Sequence, residues 1–443
     1  KFTILLLVCI FSSFCSFFRS RIPAYPSGVI FPLEKAGEIA YRGEVIGFVK
    51  DDGGNLYLTT ERGLVYCLAG ERQEILWKIE ASGELASSPF LGAENIYVYD
   101  RASTVYCLSK KGRLIWKKEV EEKITTGIKE FKEKIYFGTE KGIFFACAAP
   151  SGNELWRFEA GSTVRSSPVI SDGRIIFGCD DSNLYILTEE GSILDKIKTE
   201  NKIQANPIVE KNFLYFGSGG HYFYCFNLVK RKKKWKVKIG GEIFSPPVVD
   251  GKRIFFICWN NVLYCLNKKN GHILWWKIIP SRSSYGLEIS GERIVVSSFS
   301  SVLVCFEIKT GENVGEYDAG QEIKSNPLWI APYLMFNLYD NKKDEGKLIF
   351  LKKILKVSLK SSEKSPQKVG AELVFTVSAV GFYRQNYEFY LKEGEQERIV
   401  QEKSERNSWT WLPEKEGDYV VGVKVVDEKG STKAEIPFVI KKD

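Results

Sequence analysis

Few side chains in this sequence have the means for chemistry, and their spacing says what kind. There are two histidines, His221 in GSGGHYFYC and His272 in GHILW, both in glycine turns. Two imidazoles cannot build a multi-histidine metal site and leave few places for Ser-His or Cys-His catalysis. Asp180 and Asp181 in GCDDSNLY are the nearest approach to a calcium site, which wants six to eight oxygens. The bland reading is a hairpin turn, where Asp and Asn tolerate the required backbone angles. Lys230, Arg231, Lys232, Lys233 and Lys234 are five consecutive basic residues. They read either as a solvated hairpin or as a contact patch for anionic lipid headgroups or an acidic partner.

Six of the ten cysteines, Cys67, Cys107, Cys147, Cys225, Cys265 and Cys305, recur at one position of a repeat. Equivalent positions in neighbouring units lie beyond disulfide reach, so these thiols are expected to be small buried packing groups. Cys179 and Cys258, each at the end of a second strand, are not expected to pair with each other either.

The elements that must position these residues follow from a period of about 40. Trp77, Trp116, Trp156, Trp235 and Trp275 are separated by 39, 40, 79 and 40 residues, and the missing copy falls at Asp195. A further period reaches Gly315. Glycine stands four residues earlier in most copies (Gly112, Gly152, Gly191, Gly271, Gly311), and proline twelve later in five (Pro89, Pro168, Pro207, Pro247, Pro327). Before each tryptophan position comes a marker strand, VYCL, FACA, LYIL, FYCF, LYCL or LVCF, with LIFL ending at Leu351 as the eighth copy. With the runs IYVYD, IYFGT, IIFGC, LYFGS and IFFIC between proline and marker, each period holds four short strands and no helical periodicity. That pattern predicts an all-β, eight-bladed β-propeller of four-stranded blades over residues 22–355. The eighth blade lacks its last strand. The N-terminal segment Val29 to Lys35 is expected to supply it beside Leu348 to Leu351, in competition with Lys353 to Leu359.

The GxxxW tail, followed by SSP and an aromatic strand ending in YCL, resembles the repeat of the quinoprotein (PQQ-type) propellers. In that family the tryptophan packs between neighbouring blades, which the resemblance implies for Trp77, Trp116, Trp156, Trp235 and Trp275. One branch comprises pyrroloquinoline quinone dehydrogenases. Another comprises non-catalytic exported propellers of the outer-membrane protein assembly factor type, BamB among them. The dehydrogenases use an adjacent Cys-Cys pair, a calcium and an aspartate base, and have long insertions between blades. This chain has no adjacent cysteines and its blades run at bare period. The resemblance therefore implies a BamB-like scaffold of the cell envelope with no catalytic residue, no cofactor and no metal.

Composition agrees with a folded chain. Of 443 residues, 44% are hydrophobic and 27% charged, and aromatics reach 14%, a level that favours sheets. A net charge of +8 is far from nucleic-acid-binding density. The expected partners are envelope or outer-membrane proteins, with an anionic membrane surface as a further contact, no nucleic acid, and a monomeric chain. Residues 1–20 carry the apolar run Phe2 to Phe18 after Lys1 and read as a signal peptide or N-terminal anchor. They place the rest outside the cytoplasmic membrane, in the periplasm or on the envelope. Ser13 and Phe14 make a poor lipobox for Cys15.

The period stops after Leu359, and KSSEKSPQK reads as a linker. Residues 360–443 alternate in strands and are expected to form an immunoglobulin-like β-sandwich, with Trp409 and Trp411 on one face and Tyr419 placed like a tyrosine corner. Besides the scaffold, two functions remain open: a glycan or small-ligand binding module using those tryptophans or the propeller funnel, and a minimal PQQ-dependent dehydrogenase.

Overall fold

The computed structural model describes residues 33–354, 356–380, 385–427 and 430–442. The N-terminal segment read as a signal or anchor, and the first residues of the propeller span, lie outside the described residues. Eight four-stranded antiparallel sheets follow one another around a ring, and no helix occurs among the described residues. Seven blades are continuous in sequence. Blade 1 runs from the strand Val45–Lys50 to Glu74–Glu80, and blade 7 from Leu287–Ser290 to Asn313–Asp318. In the seven continuous blades the second and third strands are almost wholly buried, while the fourth is exposed to half-buried, so it forms the outer rim. The eighth blade takes its outer strand from the chain's beginning. Leu33–Arg42 pairs with Glu345–Lys353, from Leu33 opposite Lys353 to Arg42 opposite Glu345.

The closing strand is therefore N-terminal, but it runs to Arg42, seven residues past the expected end at Lys35. Val29 to Lys35 follows from equating GEIAYRG at residues 37–43 with GELASSP at residues 83–89 of the next repeat. The register instead puts Gly37 opposite Phe350, just as Trp77 lies opposite Cys67, with the same bulge one step on. Gly37 thus holds the tryptophan position of blade 8. The competing strand, Lys356–Ser361, leaves the ring and pairs with Leu373–Val380. KSSEKSPQK is accordingly not a linker: its first residues lie in that strand, and Gln367–Lys368 pairs with the last strand of the chain. The two final sheets, of three and five strands, pack face to face on one core that includes Leu373, Phe375, Phe389, Val421, Val423 and Phe438. The expectation of a sandwich is met at the level of two packed β-sheets. The hydroxyl of Tyr419 donates to the carbonyl of Lys415 at 3.2 Å.

The tryptophans explain how the blades are held. Each indole lies against the turn glycine of the next blade. A Cβ built on Gly112, Gly152, Gly191, Gly271 or Gly311 would stand 2.6–2.8 Å from the ring of Trp77, Trp116, Trp156, Trp235 or Trp275. All five glycines also have positive φ, so the position rejects a side chain on two counts. Each indole Nε1 donates to a backbone carbonyl 33 residues on: Lys110, Ala149, Glu189, Lys268 and Ile308, at 2.9–3.3 Å. A large apolar ring and one satisfied donor thus recur at five seams.

Two seams without tryptophan change both partners together. Where the indole becomes Asp195, the glycine becomes Arg231, and the two form an ion pair at 3.4 Å. Where it becomes Gly37, the turn residue is Gln73, whose side chain lies against that glycine. The SSP motif has its own reason. Hydroxyls of Ser87, Thr126, Ser245 and Ser325 each accept the amide twelve residues on, tying the entry of a blade to its second strand at 2.8–2.9 Å.

All eight cysteines among the described residues are free and buried. Burial pushes the Cys67 and Cys225 thiols up to about 11 and those of Cys107, Cys147, Cys179, Cys265 and Cys305 up to about 12. They are packing groups, and their chemistry is suppressed.

Two predictions follow from the seams and the thiols. Trp156→Ala and Gly191→Ala should each lower unfolding free energy by about 2–4 kcal/mol, because one opens a cavity and the other forces a methyl into an indole at a positive φ. Asp195→Ala should cost under about 1 kcal/mol, since that ion pair is solvent-exposed; equal losses in denaturant titrations would refute the seam ranking. The thiols bind protons more tightly folded than unfolded, so above the unfolded thiol range the unfolded state loses protons first. Stability should therefore fall as pH rises from about 9 to 11. A thiol-reactive chromogen should label the native propeller at pH 8 only at the rate of unfolding.

Candidate interaction face

The loops leaving each outer strand and the turns between second and third strands meet on one face of the ring. Seven times the same bond joins them. The amides of Glu61, Arg101, Glu140, Asp180, Gly219, Trp259 and Phe299 donate to a carbonyl 17 residues earlier, at 2.8–3.0 Å. Since the backbone makes this contact whatever the side chain, the position is free to vary. Five blades fill it with polar residues or glycine, while blades 6 and 7 fill it with Trp259 and Phe299.

Those two rings belong to a cluster of four. Phe244 meets Trp259 edge-on with centroids 5.6 Å apart, Trp259 meets Phe299 at 6.2 Å, and Phe299 meets Tyr285 at 5.3 Å. Phe299 is 36% exposed and the other three are half-buried. Two cations lie against it: the Arg282 guanidinium is 5.6 Å from the Trp259 ring and Lys202 Nζ 6.0 Å from Phe244. Edge-to-face rings with cations over them hold their places without needing full burial. Nothing in the fold requires aromatics here, as the other blades demonstrate. Sequence reasoning missed this cluster because Trp259 lies outside the tryptophan period; comparing the residue after each second strand across blades would have found it.

The residues singled out from sequence lie outside this aromatic cluster. Asp180 accepts from Arg165 Nε at 3.0 Å and Gln204 Nε2 at 2.8 Å. Asp181 accepts from the Tyr185 hydroxyl at 2.6 Å and the Asn183 amide at 3.0 Å. Both carboxylates are thus occupied with turn structure. Among the described residues no cluster of three or more His, Cys, Asp or Glu is placed to hold a metal. His221 takes a positive φ in its turn, and His272 is exposed. Trp409 stacks on Trp411 at 6.1 Å; Trp411 is buried in the sandwich core and Trp409 packs against it.

The basic run divides. Arg231 is committed to Asp195, and Lys234 lies 4.2 Å from the Phe213 ring centroid. Lys230, Lys232 and Lys233 are exposed. A second feature invisible in sequence is Glu288, on the inner strand of blade 7. Burial pushes its carboxyl up to about 7, against the opposing pull of Lys50 and the bond it accepts from the Trp329 amide at 3.1 Å. Lys50 Nζ donates to the Trp329 carbonyl at 2.6 Å. This pair of contacts ties blades 1, 7 and 8 together at the axis.

Comparison with known proteins places this architecture. No curated protein matches the sequence. Among solved structures, BamB from Moraxella catarrhalis superposes with a TM-score of 0.60 at 15% identity, covering 72% of this chain and 100% of that one. The computationally designed protein Ika8 gives 0.61 at 12% identity, covering 70% and 97%. Quinohemoprotein alcohol dehydrogenase from Comamonas testosteroni gives 0.61 at 10% identity, covering 72% and 76%. At these identities the superpositions show a shared fold and nothing finer. The sequence itself goes further, because the family model of the outer membrane protein assembly factor BamB matches residues 38–111, 101–194 and 180–329. The repeated seams and the sequence match together establish that this chain belongs to the BamB family of PQQ-like β-propellers.

Proposed function

We propose that this chain is a BamB-like, non-catalytic scaffold of the cell envelope, exported, that docks a polypeptide partner on the face carrying the inter-blade loops. The observation that carries this reading is the Phe244–Trp259–Phe299–Tyr285 cluster. Four rings concentrate at positions where the fold accepts polar residues, and two cations flank them. Aromatic and arginine anchors dominate binding energy at protein interfaces. A clustered, part-exposed group of them on an otherwise polar face is the kind of patch that marks an interaction site. Family membership supports the kind of partner, an envelope protein of the outer-membrane assembly apparatus. Among the described residues the cysteine thiols are buried and the Asp180 and Asp181 carboxylates are hydrogen-bonded. The sandwich then serves as a spacer or second contact.

The test is capture from solubilised envelope by the purified chain, with co-purifying proteins identified by mass spectrometry. Recovery of barrel-assembly components is expected. Trp259→Ala with Phe299→Ala should weaken that capture by about 30-fold or more, the loss typical of one central anchor, while Trp409→Ala should not weaken it. Undiminished capture by the double variant would move the docking site elsewhere, and recovery of a quinone or a sugar instead of protein would overturn the scaffold reading.

A further inference from the structure

The opposite face of the ring carries a groove of about 460 Å³ between blades 5 and 6 whose charge is one-sided. Five lysines line it: Lys211, Lys234, Lys252, Lys268 and Lys269. They come from four separate places, the first turn of blade 5, its outer strand, and the two turns of blade 6 on this face. Phe213 and Tyr215 supply the apolar wall. The lining carboxylate is Glu210, and it is already paired to Lys268 at 2.5 Å. Lys211, Lys252 and Lys269 have no carboxylate within ion-pair distance among the described residues.

The neighbouring blade fills the equivalent places with opposite charges. The Lys268 amide donates to the Lys252 carbonyl, and the Ile308 amide donates in the same way to Glu292, which makes Lys252 and Glu292 equivalent. In blade 7 the next residue, Lys309, pairs with Glu292 at 2.7 Å. In blade 6 the same two places hold Lys269 and Lys252, so attraction has become repulsion. Between blades 3 and 4, Lys132 pairs with Glu189 at 2.7 Å and is likewise neutralised. Lys211 takes a φ of 55° in its turn, as Lys132 and Asp172 do at 48° and 49° in the corresponding turns of blades 3 and 4, where Gly251 and Gly291 stand in blades 6 and 7. Three of the like charges gathered around this concave, partly apolar wall are therefore uncompensated among the described residues.

We infer that this groove binds a phosphate-bearing anion, with Lys211, Lys252 and Lys269 as its free cations, Lys234 over Phe213 at the rim, and Asn267 as a neutral polar contact. The phosphate belongs either to a lipid headgroup or to a free phosphorylated solute. The site is distinct from the aromatic face and independent of the docking reading given above.

The test uses the full chain with two kinds of probe at low salt. Phosphatidylcholine vesicles with and without phosphatidylglycerol are measured by co-sedimentation, and inorganic phosphate and pyrophosphate by calorimetry. Salt-sensitive binding is expected to at least one of these phosphates, and binding to vesicles alone or to the soluble anions too tells the two sources apart. Lys252→Glu, which reproduces the pairing of blade 7, should weaken binding by about tenfold or more. Lys360→Glu, the same change of net charge on the sandwich, should leave it unaltered. Equal weakening by both variants would reduce the effect to net charge and overturn the site, as would absence of binding to all probes. A melting temperature for Lys252→Glu matching the parent separates lost binding from lost fold.

Discussion

The structure depends on the contact between an indole and a glycine of the next blade. Antiparallel hydrogen bonds make each blade, but they do nothing to hold one blade to another. That work falls to side chains between the sheets, and the ring repeats one solution five times: Trp77 on Gly112, Trp116 on Gly152, Trp156 on Gly191, Trp235 on Gly271 and Trp275 on Gly311. The indole needs a flat surface without Cβ, and the turn needs a residue at ease with positive φ. One glycine meets both needs. Because the two demands coincide, spacing is rigid along the chain, with every indole donating to a carbonyl 33 residues away.

This coupling also explains what could be read in the sequence. Period, blade number and strand order were all legible, since a tryptophan and a glycine at fixed offset mark each seam. Closure by the N-terminal strand was legible as well, though its register was not. Gly37 offered no indole to align, and GEIAYRG resembled the wrong loop. The boundary after the ring was misplaced because a polar, lysine- and serine-rich stretch looks like a linker whether or not its backbone pairs. In fact Lys356–Ser361 buries Leu359 in the sandwich core.

The site was less legible for a related reason. Repeat analysis favours what recurs, whereas the aromatic cluster consists of departures from the repeat. Trp259 and Phe299 stand where other blades hold Glu61, Arg101, Glu140, Asp180 and Gly219, and only the shared backbone bond makes those positions comparable. The basic run was conspicuous as five consecutive letters, yet the fold gives its members different tasks. Arg231 replaces a seam glycine and meets Asp195, while Lys234 faces a groove assembled mainly from lysines distant in sequence. Contiguity in sequence overstated one surface and concealed another.

The borrowed strand of blade 8 has a bearing on how chains share structure. Leu33–Arg42 is joined to its sheet by edge pairing with Glu345–Lys353 and reaches it across more than three hundred residues of chain. Until that edge is filled, the third strand of blade 8 offers unpaired amides and carbonyls to any suitable segment. An identical strand from a second molecule satisfies the same register and the same bulge. The ring's fastening is thus an edge pairing of the kind through which two copies of a chain exchange an identical strand.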